Sequence, residues 1–260
     1  MKKFLSNSYM VLVFAFLYAP ILILIFFSFN SSNSNVVFNG FSFRWYKELF
    51  HDSEILGALG NTLIVASVSS VISTIIGTAA AIGLANYKKW QKNALMNVTY
   101  LPVLNPDIIT GISMLLLFIA FRISTGFVTV LLAHITFCIP YVILSVMPRL
   151  RHVDSHLYEA AQDLGAPPVQ AFFKAVFPQL LPGIFSGLMM AFTLSIDDFV
   201  VTFFVRGNSF TTLSTVIYTI TKRKIPLSIN ALCTLMFVSV LLILIAANIL
   251  GGKKTKEERK

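Results

Sequence analysis

The chain has 260 residues, of which 56% are hydrophobic and only 12% charged, with a net charge of +9. A water-soluble domain carries about 25% charged residues, so a solvated globule is excluded. Nucleic-acid binding is not the meaning of the basic excess, because lysine and arginine sit in the short stretches between apolar runs. Those runs reach the roughly 20 residues that cross a bilayer. Inside lipid every backbone polar group must be bonded internally, so each run must be a helix. A β-barrel would show short alternating segments, and none occur. The fold class is therefore all-α, a polytopic membrane protein.

In chain order the apolar runs predict six transmembrane helices, over 9–29, 58–85, 95–121, 126–147, 180–205 and 227–250. Lys2 and Lys3 precede the first. No small-residue cleavage site follows before the polar stretch 30–35, so it reads as an uncleaved span rather than a signal peptide. The outer loop closes a first segment, 1–57. It holds Phe43, Trp45, Tyr46, Leu49 and Phe50, which suggest a short helix at the headgroup level, where aromatic rings are favoured. A plain aromatic belt and a partner-docking surface fit that cluster equally well.

A five-helix core, 58–250, follows. Its first helix carries Ser69, Ser73, Gly77, Ala81 and Ala85 at steps of four. These share one face and permit close backbone approach, without saying against which helix. Cys138 and Cys233 lie in apolar runs and read as buried thiols. His134 reads as a buried polar residue with a satisfied hydrogen bond. A basic tail, 251–260, ends the chain. With both termini in the cytoplasm, most lysines and arginines fall inside, as the positive-inside rule requires. The cluster Lys222, Arg223, Lys224 runs against that bias.

Three of the eleven acidic residues fall within predicted spans: Asp107, Asp197 and Asp198. A charge at the bilayer centre costs about 2.5–3.5 kcal/mol on insertion scales, so such groups face a cavity or a partner. Pro102 and Pro106 precede Asp107, which predicts a kinked or broken helix, and broken helices at membrane depth line substrate sites. The three carboxylates, with Tyr141 beside Pro140, are the candidate lining of a path for a cation. Against that reading, Asp107 could cap the helix after the break. Asp197 and Asp198 could pair with Arg206 or Arg122. On a continuous helix the two neighbours project about 100° apart, so only one would face the path squarely.

The loop between the fourth and fifth spans, about 149–178, carries a mechanism. Asp154 or Ser155 can cap a helix, Ala160, Ala161 and Leu164 favour one, and Gly165 followed by Pro167 ends it. The expected shape is a rigid helix–turn–helix on the cytoplasmic face, its second short helix passing Phe172, Phe173 and Val176 to reach the fifth span. Glu159-Ala160-Ala161, three residues, then Gly165 resembles the EAA loop of binding-protein-dependent ABC importer permeases. The family pattern continues with nine residues and Ile-x-Leu-Pro. Here Ala175-Val176-Phe177-Pro178 stands there, keeping the proline and replacing two apolar residues by others. Phe43-Arg44-Trp45-Tyr46, Gly60-Asn61-Thr62, Leu101-Pro102, Pro106-Asp107 and Ser195-Ile196-Asp197-Asp198-Phe199 are together similar to the spermidine/putrescine permeases of that family, over about 40–250.

The resemblance implies a six-span, MetI-like type I ABC importer permease in a bacterial cell membrane. It implies a second, paralogous permease subunit, a pair of ABC ATPase subunits below, and an extracytoplasmic substrate-binding protein or lipoprotein above. Glu159, Ala160, Ala161 and Gly165 would couple to the ATPase. The chain has no phosphate loop of the GxxxxGK[ST] type and no HExxH, CxxC or GxSxG. It is therefore expected to be non-catalytic and without a cofactor of its own, ATP and Mg belonging to the ATPase. Another cargo, such as iron, thiamine or an organic anion, remains open at this stage, as does an ion-coupled secondary transporter.

Overall fold

A computed structural model of the chain describes residues 2–34, 36–154, 156–222 and 227–257. Its regular elements there are helices, apart from one isolated bridge between Asn30 and Phe41. Ser155, Arg223 and Lys224, and with them the Ser155 alternative for the cap and part of the outer basic cluster, lie outside the described residues. The chain divides into two compact units, 1–56 with 217–260, and 57–216.

In the first unit, α1 (Lys2–Ser28) and α12 (Leu227–Glu257) pack together, and α2 (Arg44–His51) packs on α12. Large side chains of α1 point outward, Phe16 at 78% exposure. In water that would be a liability; for a helix in lipid it is the expected surface, since the acyl chains are as apolar as the residue. The short helix expected near Trp45 is present, but Trp45 and Leu49 are buried. The Trp45 Nε1–H donates to the Asn30 carbonyl at 2.6 Å, and Ser28 and Tyr46 share a hydrogen bond of 2.7 Å. Phe43 and Phe50 remain exposed, so only part of the aromatic cluster is free for an interface.

The second unit contains most of α3 (Ser53–Ala85), then α4 (Lys89–Leu104), α5 (Asp107–Ala120), α6 (Phe127–His152), α7 (His156–Asp163), α8 (Pro168–Ala171), α9 (Phe177–Asp197) and α10 (Val200–Val205), with the start of α11 (Leu213–Thr221). The small-residue stripe of α3 finds its partner in α6. A Cβ built on Gly77 would lie 2.7 Å from Val142 Cβ, so only glycine permits that approach. Farther along, Ser69 Oγ meets Ser195 Oγ of α9 at 3.1 Å. A second stripe, Gly183, Gly187, Ala191 and Ser195, is buried on α9. Gly183 and Gly187 face Arg149, Ser145 and Val142 of α6.

Two of the predicted spans are broken. α4 and α5 meet at a bend of 102°. Pro102 and Pro106 have no N–H to give, and Asn105, held before a proline, is extended with ψ 139. The expected break thus falls between Leu104 and Asp107. The fifth span was expected to be continuous over 180–205, but α9 ends at Asp197 and α10 begins at Val200. Asp198 is extended there (φ −64, ψ 124). The second helix of the cytoplasmic loop is not separate either. Pro168 to Asp197 forms one 30-residue helix, with a π turn at Phe172–Val176 whose Phe177 N–H reaches the Phe172 carbonyl. The π turn sits directly before Pro178, which contributes no donor.

Among the described residues four helices are long and apolar enough to span: Ser6–Ser28, Ser53–Ala85, Phe127–His152 and Pro168–Asp197. The bent pair makes a fifth, and Leu227–Leu242 is a shorter apolar stretch. This is consistent with six spans.

Candidate functional site

Both helix breaks open on one cavity of about 190 Å³, lined by Asp107, Tyr141, Asp197 and Asp198, with Thr110 and Phe137. All four residues singled out from the sequence as lining a path therefore meet at one place, and no lysine or arginine lines it. Asp107 stands in the first turn of α5, just past Pro106. A carboxylate is favoured at that end of a helix. Its side chain is exposed and closes no cap bond.

Asp198 is held quite differently. Its side chain is 8% exposed. The N–H groups of Val201 and Thr202 donate to it at 3.2 and 2.8 Å, and the Thr202 hydroxyl donates at 2.7 Å. The carboxylate thus fills the role of a cap, satisfying amides at the start of α10 that no helical turn precedes. The carbonyl of Asp198, also freed by the break, accepts from the Ser214 hydroxyl at 2.8 Å. Three backbone groups at the break are bonded in this way, as backbone at membrane depth requires.

Neither arginine weighed from the sequence holds Asp198. Its neighbour is His134, whose Nε2 lies 3.5 Å from Oδ2, while Arg206 donates to the Phe210 carbonyl at 3.1 Å. The expectation that only one of the two aspartates could face the path assumed a continuous helix. With the helix ended at Asp197, both line the cavity. His134 is buried and satisfied, as its place in an apolar span suggested: Nδ1 lies 2.7 Å from Ser195 Oγ and Nε2 2.9 Å from Thr202 Oγ1. Ser195, Thr202 and Ser214 were not legible as site residues. The available signal was Thr202 four positions after Asp198, the spacing of a local cap.

Among the described residues no three His, Cys, Asp or Glu side chains are grouped as metal ligands would be. The acids line a space rather than converge on a point. That arrangement suits an extended cation better than a single ion.

At the opposite site, α7 is closed by Gly165 at φ +85, a left-handed conformation that glycine adopts without strain. The N–H groups of Gly165 and Ala166 reach the carbonyls of Gln162 and Ala161 at 2.8 and 3.1 Å, the C-terminal closure expected. Asp154 Oδ1 accepts the His156 N–H at 3.0 Å at the other end. Glu159, Ala160 and Ala161 lie on this helix, none of whose residues is buried, and Leu164 is 90% exposed at its tip. Behind it a cleft of about 840 Å³ is lined by Ala85, Leu150, Tyr158, Glu159, Phe172 and Phe173. The knob is exposed along its length and apolar at its end.

Comparison with known proteins follows the same lines. Residues 73–252 match the family described as binding-protein-dependent transport system inner membrane component. The chain is 38% identical, over 97% of its length and 98% of the relative's, to the spermidine/putrescine transport system permease protein PotC of Haemophilus influenzae. It is 40% identical, over 89% of its length and 85% of the relative's, to the putrescine transport system permease protein PotI of Escherichia coli. Among solved structures, a chain of a bacterial ABC transporter that imports the acidic polysaccharide alginate superposes with a TM-score of 0.70. It is 13% identical, with 95% of both chains covered. A chain of an amino acid ABC transporter gives 0.56 at 18% identity, covering 77% of this chain and 96% of that one.

Proposed function

The chain belongs to the binding-protein-dependent transport system inner membrane components, and from that premise we propose that the cargo it passes is a polyamine such as putrescine or spermidine. The observation that carries this is the cavity: Asp107, Asp197 and Asp198 surround it and no basic side chain lines it. A wall of carboxylates with low-dielectric surroundings lowers the energy of a chain of ammonium groups. It raises that of an anion. The relatives' names, which specify spermidine and putrescine, point the same way.

In this reading the chain supplies half of a translocation path, with a paralogous permease subunit supplying the other half. Asp107, Asp197, Asp198 and Tyr141 line this half. A substrate-binding protein or lipoprotein delivers the cargo from outside. ATP hydrolysis, with its Mg, takes place in a separate ABC ATPase pair and supplies the energy. Glu159, Ala160, Ala161 and Gly165 form the coupling helix on which that pair acts. The exposure of α7 and Leu164 and the continuity of 168–197 support this role, since a push on the knob is passed along one helix to the break at Asp198. Both termini then lie in the cytoplasm of a bacterial cell, and the 58–250 core carries the transport function.

The test is uptake of labelled putrescine into inside-out-free, right-side-out vesicles carrying the intact transporter. Accumulation that needs ATP inside and is competed by unlabelled spermidine is expected. Uptake competed by organic anions and indifferent to spermidine would sink the polyamine assignment.

A further inference from the structure

We propose that His134 is a positioning residue that divides the work of the two adjacent aspartates. It holds Asp198 as a strut of the helix break, which leaves Asp197 and Asp107 as the carboxylates that bind the cation. The inference rests on the polyamine reading above.

The two aspartates are neighbours in sequence and opposites in environment. Three hydrogen bonds occupy the Asp198 carboxylate, from the Val201 and Thr202 amides and the Thr202 hydroxyl, and His134 Nε2 stands 3.5 Å from Oδ2. A carboxylate has about four lone-pair sites, so little acceptor capacity remains for a cargo ammonium. Asp197 ends α9, is exposed, and makes no hydrogen bond or ion pair among the described residues. Asp107 is exposed in the same cavity and equally unpartnered there. Burying unpaired carboxylates in a membrane protein is unfavourable, and both stay open to the cavity where an incoming cation would pair them.

His134 spans the break from α6. It touches Ser195 in the last turn of α9 through Nδ1, and Thr202 in the first turn of α10 through Nε2. One neutral tautomer satisfies the whole chain of contacts. Ser69 donates to Ser195, Ser195 to Nδ1, Nε2–H to Thr202, and Thr202 to Asp198. A buried network with every member satisfied rigidifies its surroundings. Here it ties α3, α6, α9 and α10 around Asp197, and so fixes where that free carboxylate points.

Uptake kinetics in vesicles carrying the intact transporter test this. Asp197→Asn is expected to raise KM for putrescine about tenfold with Vmax largely kept, the signature of a lost binding contact. Asp198→Asn should act mainly on Vmax and on the amount of assembled complex, moving KM less than Asp197→Asn does. His134→Ala should raise KM, and in the double variant with Asp197→Asn it should add nothing further, because no charge is left to position. Thr202→Val breaks the relay at its other end and should repeat the His134→Ala result, should that variant fail to assemble. His134→Gln, which can still bridge donor and acceptor, should restore part of the loss. A KM raised by Asp198→Asn but not by Asp197→Asn overturns the proposal, as do multiplicative effects in the double variant. A wild-type transporter that hydrolyses ATP but accumulates neither polyamine overturns instead the substrate reading on which it stands.

Discussion

Asp198 and Gly165 show how single residues meet local demands of the backbone. An ionised carboxylate at membrane depth is unfavourable unless bonded, and Asp198 meets that demand by capping α10. It is thereby a structural residue within the cavity's lining. Gly165 meets a different demand. At φ +85 a side chain is strained although nothing lies within 4 Å of its Cβ position, so the penalty of Gly165→Ala is purely conformational, about 1–2 kcal/mol. That variant is expected to assemble normally and to lose uptake through a loosened knob. Uptake per assembled complex is the measurement, and an unchanged value would show that the end of α7 need not be rigid.

At the scale of elements, small residues decide which helices meet. Gly77 approaches Val142 so closely that an added methyl would sit 2.7 Å from its Cβ and 3.2 Å from the Ile139 carbonyl. Gly77→Ala should therefore lower the unfolding stability of the detergent-solubilised protein by about 1–3 kcal/mol, the usual penalty of overpacking. Gly83→Ala, on the same helix with nothing within 4 Å, is the control and should be neutral or stabilising, since alanine is the better helix former. Equal effects at the two positions would refute the close α3–α6 contact. The α3 stripe was legible from its four-residue spacing, and the α9 stripe at Gly183, Gly187, Ala191 and Ser195 could have been found by the same rule. The α9–α10 break was not legible. Prolines announce the α4–α5 bend, whereas residues 197–200 contain neither proline nor glycine, and the break is held by partners distant in sequence, His134 and Ser214.

For the whole molecule, the outward-facing apolar surface of α1 and the several apolar helices agree on a chain embedded in a bilayer, and the proposed orientation puts the knob in the cytoplasm. Impermeant maleimide labelling checks this in a background lacking Cys138 and Cys233. A cysteine at Leu164, 90% exposed, should label only in inside-out vesicles, and one at Val36, 85% exposed, only in right-side-out vesicles. Labelling of both from one side would reverse or collapse the topology and remove the coupling role of α7.

Composition, hydrophobic run length and the local cap chemistry of 154–167 were enough to determine an all-helical membrane chain, the α4–α5 bend and the helical knob, because each depends on residues close in sequence. Whether four acidic and aromatic residues from three spans share one cavity, and which of two adjacent aspartates is tied and which is free, was decided only by the fold. Those properties depend on contacts 61 and 68 residues apart through His134, and no local pattern records them.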